Sequence, residues 1–185
     1  MSGLKHATMT ELESGLENIR HSPKDGGVLE MIVCRPLVDE RAILTEAMLD
    51  LAEGLVGDGW KSRGSTRTPD GSANPEMQLN VMNARVIELL AQEEDRWALA
   101  GDQLFVDLDL STTNLPAGSR LRVGEAVIEI TAEPHLGCAK FKARFGADAL
   151  AAVNSPRGRE LRLRGANARI VSGGMVRVGD QVAKI

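Results

Sequence analysis

Hydrophobic positions along the chain change their spacing, from helical intervals near the start to short alternating runs in the final third. Leu12, Leu16 and Ile19 recur at three- and four-residue steps behind Thr10 and Glu13, which have the spacing of a capping box. A short helix is therefore predicted over residues 11–20, ended by "SPKDGG". "VLEMIVCRP" is β-prone and stops at Pro36, as a first core strand would. Residues 40–53 allow another short helix. Residues 57–77, rich in Gly, Ser, Thr and Pro, predict a long loop, either a lid or a bland insertion, whose Lys61, Arg63 and Arg67 could close over an anion. In "QLNVMNARVIELLAQEEDRW", Met82, Val86, Leu89 and Leu90 fall at helical spacing and predict the longest helix.

Beyond residue 100, β-prone runs alternate with turn signals, as in a sandwich or barrel. The candidate strands are "RLRVG", "AVIEIT", "ELRLRG", "NARIVSG" and "MVRVGDQVAKI". Within them "LRVGEAVIEI" and "VRVGDQVAKI" share one pattern, with Gly124 and Gly179 supplying turn or bulge geometry that a side chain would oppose. Two such ribbons suit one mostly β domain spanning residues 1–185, with a core over about 27–185 and a helical extension over 1–26.

Composition narrows the function classes. An apolar fraction of 43% with no apolar run near the roughly 20 residues of a membrane span predicts a soluble globular protein. The opening "MSGLKHATMT" has no apolar centre of a secretory signal, so a cytoplasmic location is expected, with Cys34 and Cys138 both free thiols. The net charge of −4 is uneven, because residues 133–170 carry a local balance of +5 and the remainder −9. One anionic site fits this better than a nucleic-acid surface, and with three Phe, two Trp and no Tyr there is little to stack bases on. Neither a Walker-type phosphate loop nor a nucleophile-elbow serine is present.

The segment "EPHLGCAKFKARFG" concentrates the candidate chemistry. If extended, it places Cys138, Lys140, Lys142 and Arg144 on one face; if helical, it stacks Phe141 on Phe145 and brings Lys142 nearest to Cys138. Either way a cation lies beside the sulfur, and cations favour thiolate, which is both the nucleophile and the soft metal ligand. The competing reading is an inert, buried Cys beside a solvated basic ribbon. Cys34, inside the apolar run "MIVC", fits that description better, so Cys138 is expected to be the more reactive thiol. His135 stands three residues before Cys138 without a second pair to complete a zinc site, and His6 and His21 flank the first helix, facing solvent. Asp102 in "AGDQL" could orient a polar group or simply be a turn residue.

The ordered set "EGLVGDGW", "QLNVMNARV", "AGDQLFVDLDLSTTNLPAGSRLRVGEAVIEIT", "EPHLGCAKF" and "LRGANARIVSGGMVRVGDQV" resembles the MOSC domain family, known from the carboxyl end of molybdenum-cofactor sulfurases and as free-standing bacterial proteins. The resemblance implies a closed, strand-rich β-barrel with a few peripheral helices. It also implies that Cys138 carries sulfur or ligates the molybdenum of a molybdopterin cofactor. Lys140, Lys142 and Arg144 are the candidates for the cofactor's anionic end, with Arg35 and Arg85 as weaker ones and His135 and Asp102 nearby. Gly137 stands where the family often has Pro, which implies a freer backbone before the thiol. No pyridoxal-phosphate aminotransferase-like region accompanies the barrel, so sulfur would come from a separate cysteine desulfurase, with a molybdoenzyme as another expected partner. Two alternatives accompany this reading: a molybdenum-dependent reductase of N-hydroxylated compounds served by an electron-transfer reductase, and a non-catalytic barrel binding some small anion.

Overall fold

The structure is a computed structural model that describes residues 6–185. Helix α1 (Met9–Arg20) leads into strand β1 (Gly27–Cys34), then β2 (Ala42–Leu44), β3 (Glu46–Asp50), β4 (Gly54–Leu55) and a single helical turn, α2 (Trp60–Arg63). β5 (Leu79–Asn83), α3 (Ala84–Ala91) and β6 (Leu104–Asp107) follow, then the hairpin β7 (Arg120–Val123) and β8 (Ala126–Ile130). Three helices, α4 (Ala139–Phe145), α5 (Ala147–Asn154) and α6 (Pro156–Glu160), precede β9 (Ala166–Ser172), β10 (Gly174–Arg177) and β11 (Gln181–Lys184). None of the described helices is long and apolar enough to cross a membrane.

Seven strands close into a mixed barrel in the order β11-β7-β8-β9-β5-β6-β1, with β1 returning to β11 through Gly27 opposite Val182 and Val28 opposite Gln181. Only β5 and β6 run parallel; the other barrel pairs are antiparallel. β2 adds to the outside edge of β1, and β10, β3 and β4 form a separate small sheet. Alternation along each strand produces two apolar layers. Leu29, Ile32 and Cys34 of β1, Val81 of β5 and Leu104 and Val106 of β6 fill the barrel. Met31, Val33, Met82 and Phe105 point outward and are covered by Leu12 and Ile19 of α1, Val86, Ile87 and Leu90 of α3, and Phe141 and Phe145 of α4. The strand-rich barrel expected from the final third is thus present, and both shared glycines sit at turns with left-handed backbone, Gly124 at φ 53° and Gly179 at φ 92°.

Five local expectations are corrected. The capping box of α1 is made by Thr8 and Glu11, two residues earlier than Thr10 and Glu13: Glu11 N–H donates to Thr8 Oγ1 while Thr8 N–H donates to Glu11 Oε2 at 2.8 Å. Residues 40–53 form β2 and β3, because Ala47 and Leu49 are buried while Glu46 and Met48 face out, a two-residue period that pairing with β10 selects over the helix-forming side chains. The predicted longest helix splits, since Leu79 and Val81 serve the barrel and Asn83 caps a short α3 by accepting from Arg85 N–H at 2.8 Å; α1, at 12 residues, is longer. "ELRLRG" is the end of α6 and the turn after it, not a strand. His6 is also not simply solvent-facing, because its ring packs against Gly146 and its Nε2 is buried.

Candidate functional site

The barrel end where β1 finishes and β5 and β6 begin carries a cleft of about 300 Å³. Residues far apart in sequence line it: Arg35 after β1, Asp39 and Arg41 in the next loop, Arg63 at the end of α2, Gly101 before β6, and His135, Cys138, Lys140 and Arg144 around the start of α4, with Arg164 entering from the turn before β9. Cys138 is exposed and occupies the N-cap of α4 in extended conformation, φ −123°, but its side chain makes no cap hydrogen bond. Helix formation from Ala139 settles the choice left open by the sequence: Phe141 and Phe145 stack with centroids 4.9 Å apart against the outer core. Lys140 and Arg144 then project to the cleft, whereas the side chain of Lys142 lies outside its lining.

Gly137 is held rather than free. Its N–H donates to Asn154 Oδ1 at 2.8 Å and its carbonyl accepts from Asn154 Nδ2 at 3.0 Å. A Cβ there would meet Leu150 and Val153 of α5 at 2.8 and 2.9 Å, so close helix packing explains the glycine and the amide clamp orients the chain entering Cys138.

Six cations line the cleft, and their partners decide which of them can serve a ligand. Arg35 is buried and committed: Nε and Nη2 each donate at 2.9 Å to Asp58, while Nη1 donates to Asn80 Oδ1 at 2.9 Å and to Gly101 O at 2.7 Å. Lys140 and Arg144 share Asp39 at the rim, at 3.1 and 2.9 Å. Among the described residues Arg41 donates to two carbonyls, of Ala98 and Glu40, and Arg63 stands 3.9 Å from Asp58. Burial lowers the pKa of Arg41, and the guanidiniums of Arg144 and Arg35 lower it further; burial and then Arg35 do the same to Arg63. Asp39 and Asp58 offset this only in part, because both carboxylates already pair with other cations, so the two guanidiniums are crowded by like charge as an anion's place would be. Arg85 is elsewhere: it grips Asp107 at 2.8 Å beside α3, in an acidic surface hollow with Glu30, Glu88 and Glu94.

Behind the cleft, Asp102 is fully buried and is no turn-surface residue. Arg164 Nη1 donates to its Oδ2 at 2.6 Å, and His135 Nδ1 lies 3.5 Å from its Oδ1. Burial pushes the Asp102 carboxyl up against the pull of Arg164, while burial and then the charges of Arg164 and Arg35 hold His135 well below the ordinary histidine range. His135 is therefore neutral in the folded protein at neutral pH. Because the unfolded chain takes up the proton near pH 6.5 and the folded chain does not, stability contributed by neutral His135 is present above pH 6.5 and lost as pH falls below it. The expected result is a fall of about 1.4 kcal/mol per pH unit below pH 6.5 in urea unfolding, a component of slope missing from His135→Gln. Parallel pH profiles for the two proteins would contradict the assignment.

The loop over 57–77 contributes one cation to the cleft, Arg63. Lys61 pairs with Glu53 and Arg67 with Glu133, and Trp60 is buried with its indole N–H donating to Asn74 O at 3.2 Å. Sequence reasoning missed Arg41, Arg164, Asp39, Asp58 and Asn80 as members of the site. Arg164 alone had a local signal, lying in the basic stretch before "GANARIV"; the others are isolated polar residues that only strand pairing brings together.

The sequence profile of the MOSC domain matches residues 68–183. Among solved structures, the barrel resembles YuaD from Bacillus subtilis, with a TM-score of 0.58 at 17% identity over 84% of this chain and 93% of that one. It also resembles YiiM from Escherichia coli, with a TM-score of 0.55 at 20% identity over 85% of this chain and 69% of that one, and at these identities the likeness is one of fold. No curated protein sequence matches the chain. With a profile match spanning more than half its length on a closed barrel of the expected kind, this chain belongs to the MOSC domain family.

Proposed function

We propose that the protein binds a molybdenum–pterin cofactor in the Cys138 cleft, with the Cys138 sulfur as metal ligand or as the acceptor of sulfur for it. The observation that carries this reading is the pairing of one exposed thiol with two crowded cations, Arg41 and Arg63, in a single cleft. The residues fit such a group chemically. A phosphate wants guanidinium donors in fork geometry, and a soft metal wants a sulfur donor. Cys138 is one soft donor, and a metal there would take further sulfur from its own dithiolene. When bound, the cofactor supplies a redox-active metal and a transferable sulfur.

The chain's own residues divide the remaining work. Arg41 and Arg63 attract and hold the anionic end, while Lys140 and Arg144, which share the single carboxylate of Asp39, set the rim. Asn154 fixes the backbone at Gly137, and Arg35, locked by Asp58, forms a rigid floor. Sulfur delivery would require a separate cysteine desulfurase, whose persulfide the Cys138 sulfur would attack, taking the terminal sulfur and leaving the donor's thiolate. A location in the cytoplasm accords with a free, exposed thiol.

Alkylation tests the reading, with Cys34 as an internal control. Cys34 is buried in the barrel, and burial followed by the charge of Asp58 pushes its pKa up, so it stays a protonated thiol. Limiting iodoacetamide with peptide mapping is expected to label Cys138 first, and bound cofactor to slow that labelling at least roughly tenfold while leaving Cys34 unchanged. Equal labelling of both thiols, or no protection by cofactor, would count against it.

A further inference from the structure

A second cleft, of about 250 Å³, lies on the other side of His135 and Arg164, which line both. Its remaining wall comes from the turn after β8, from Thr131 to Leu136, and from the end of α6, which supplies Arg159 and Arg162. The backbone of that helix end is unusual. Arg162 N–H donates to Arg159 O at 3.2 Å and Leu163 N–H to Gly158 O at 2.8 Å, the paired bonds of a Schellman cap, in which the left-handed residue is commonly glycine. Here that residue is Arg162, at φ 47°. An L side chain in this conformation is held at a conformational cost, so its presence needs a reason.

Part of the reason is structural, since Arg162 Nη1 donates to Leu110 O at 3.1 Å and to Leu115 O at 2.6 Å. That accounts for one nitrogen only. Nε and Nη2 have no protein partner among the described residues, no carboxylate pairs with the guanidinium, and burial alone lowers its pKa. Arg159 uses Nε on Asn154 O at 3.0 Å, and both of its Nη atoms have no partner among the described residues. Arg164 is 8% exposed, and its Nε is buried without a partner. The cleft's own carboxylate, Glu133, is already paired with Arg67.

We propose that this second cleft is an oxyanion site, in which Arg159 and Arg162, with Arg164 shared between the clefts, bind the phosphate group of a small phosphate ester. The guanidinium edges that Arg159 and Arg162 leave free, backed by the unpartnered Nε of Arg164, whose Nη atoms are held by Asp102 and the Ala100 carbonyl, match a tetrahedral oxyanion, and the cleft is roomier than a bare ion needs. The inference does not depend on what Cys138 does.

Calorimetric titration of the full chain with inorganic phosphate and with adenosine 5′-monophosphate tests it, in wild type, Arg159→Gln, Arg162→Gly and the pair Arg41→Gln/Arg63→Gln. R162G suits the left-handed backbone, and R159Q changes an exposed residue whose loss leaves the fold intact, so the test survives if one variant misfolds. Binding is expected to weaken roughly tenfold or more in R159Q and in R162G and to persist in the Arg41/Arg63 variant. Tighter binding of the monophosphate than of phosphate identifies an esterified ligand, as proposed; tighter binding of free phosphate overturns the ester. Unchanged affinity in R159Q and R162G, or no phosphate binding at millimolar concentration, overturns the site itself.

Discussion

Cys138→Ala is expected to leave the urea midpoint within about 0.5 kcal/mol of wild type while removing the metal or sulfur chemistry altogether. The two halves have separate causes. The thiol is exposed and makes no cap hydrogen bond at the start of α4, so truncating it opens no cavity and loses no cap. Anchorage of that helix lies instead in Phe141, Phe145 and the Asn154 clamp, none of which the substitution touches. The chemical half rests on the proposal that the sulfur of Cys138 is the soft donor of the cleft. It is read as persulfide content after incubation with a cysteine desulfurase and as molybdenum retained after gel filtration. A marked loss of stability with chemistry intact would make Cys138 a packing residue and remove the basis of the functional reading.

Asp58→Ala is expected to cost about 3–5 kcal/mol, the largest effect on stability of any change near the cleft, because it strands the buried Arg35 guanidinium. Burial by itself would raise the Asp58 pKa, but the side-chain hydrogen bonds and charge of Arg35, with backbone N–H groups of Arg35 and Trp60, outweigh it and hold the carboxyl below its ordinary value. The sign follows directly. This contribution is fully present above the unfolded carboxyl pKa of about 3.9 and is lost as pH falls through the lower folded value. Chemical denaturation of both proteins between pH 7 and pH 3 measures it: the gap should be wide at pH 7 and narrow toward pH 3. A gap below about 1 kcal/mol at pH 7 would mean that water, rather than Asp58, satisfies Arg35.

The parts of the fold legible in the sequence were those in which local pattern and tertiary role agree. β7, β8, β9 and β11 alternate over short runs between glycine turns, and β1 stops at a proline, so pattern alone located them. Where helix-forming side chains meet a two-residue burial period, as at Ala47 and Leu49, strand pairing overrode propensity. Met82 misled for a related reason: it faces the outer layer from a strand, and by coincidence falls at helical spacing from Val86.

The site divides in the same way. Cys138, Lys140 and Arg144 were readable because one helix carries them, and Arg35 because it follows a core strand directly. Lys142 shows the limit of that reading, since a basic residue on the same short helix is not among those that line the cleft. Arg85 shows another, because its cationic charge is spent on Asp107 across the barrel wall. Arg41 and Arg63 reach the cleft only through the closure of β1 on its neighbours and the folding of the 57–77 loop around Trp60, and no spacing rule connects residues so far apart.

Under the proposed function, the Cys138 cleft holds a molybdenum–pterin cofactor. The most direct test is the metal and pterin content of the full chain purified from molybdate-replete cells, with molybdenum measured by inductively coupled plasma mass spectrometry and pterin by fluorescence after oxidation. Molybdenum and pterin are expected in equal amounts in wild type, both falling to background in Arg41→Gln/Arg63→Gln, and molybdenum falling to background in Cys138→Ala. Wild-type protein that is folded, alkylatable at Cys138 and free of both molybdenum and pterin would contradict it.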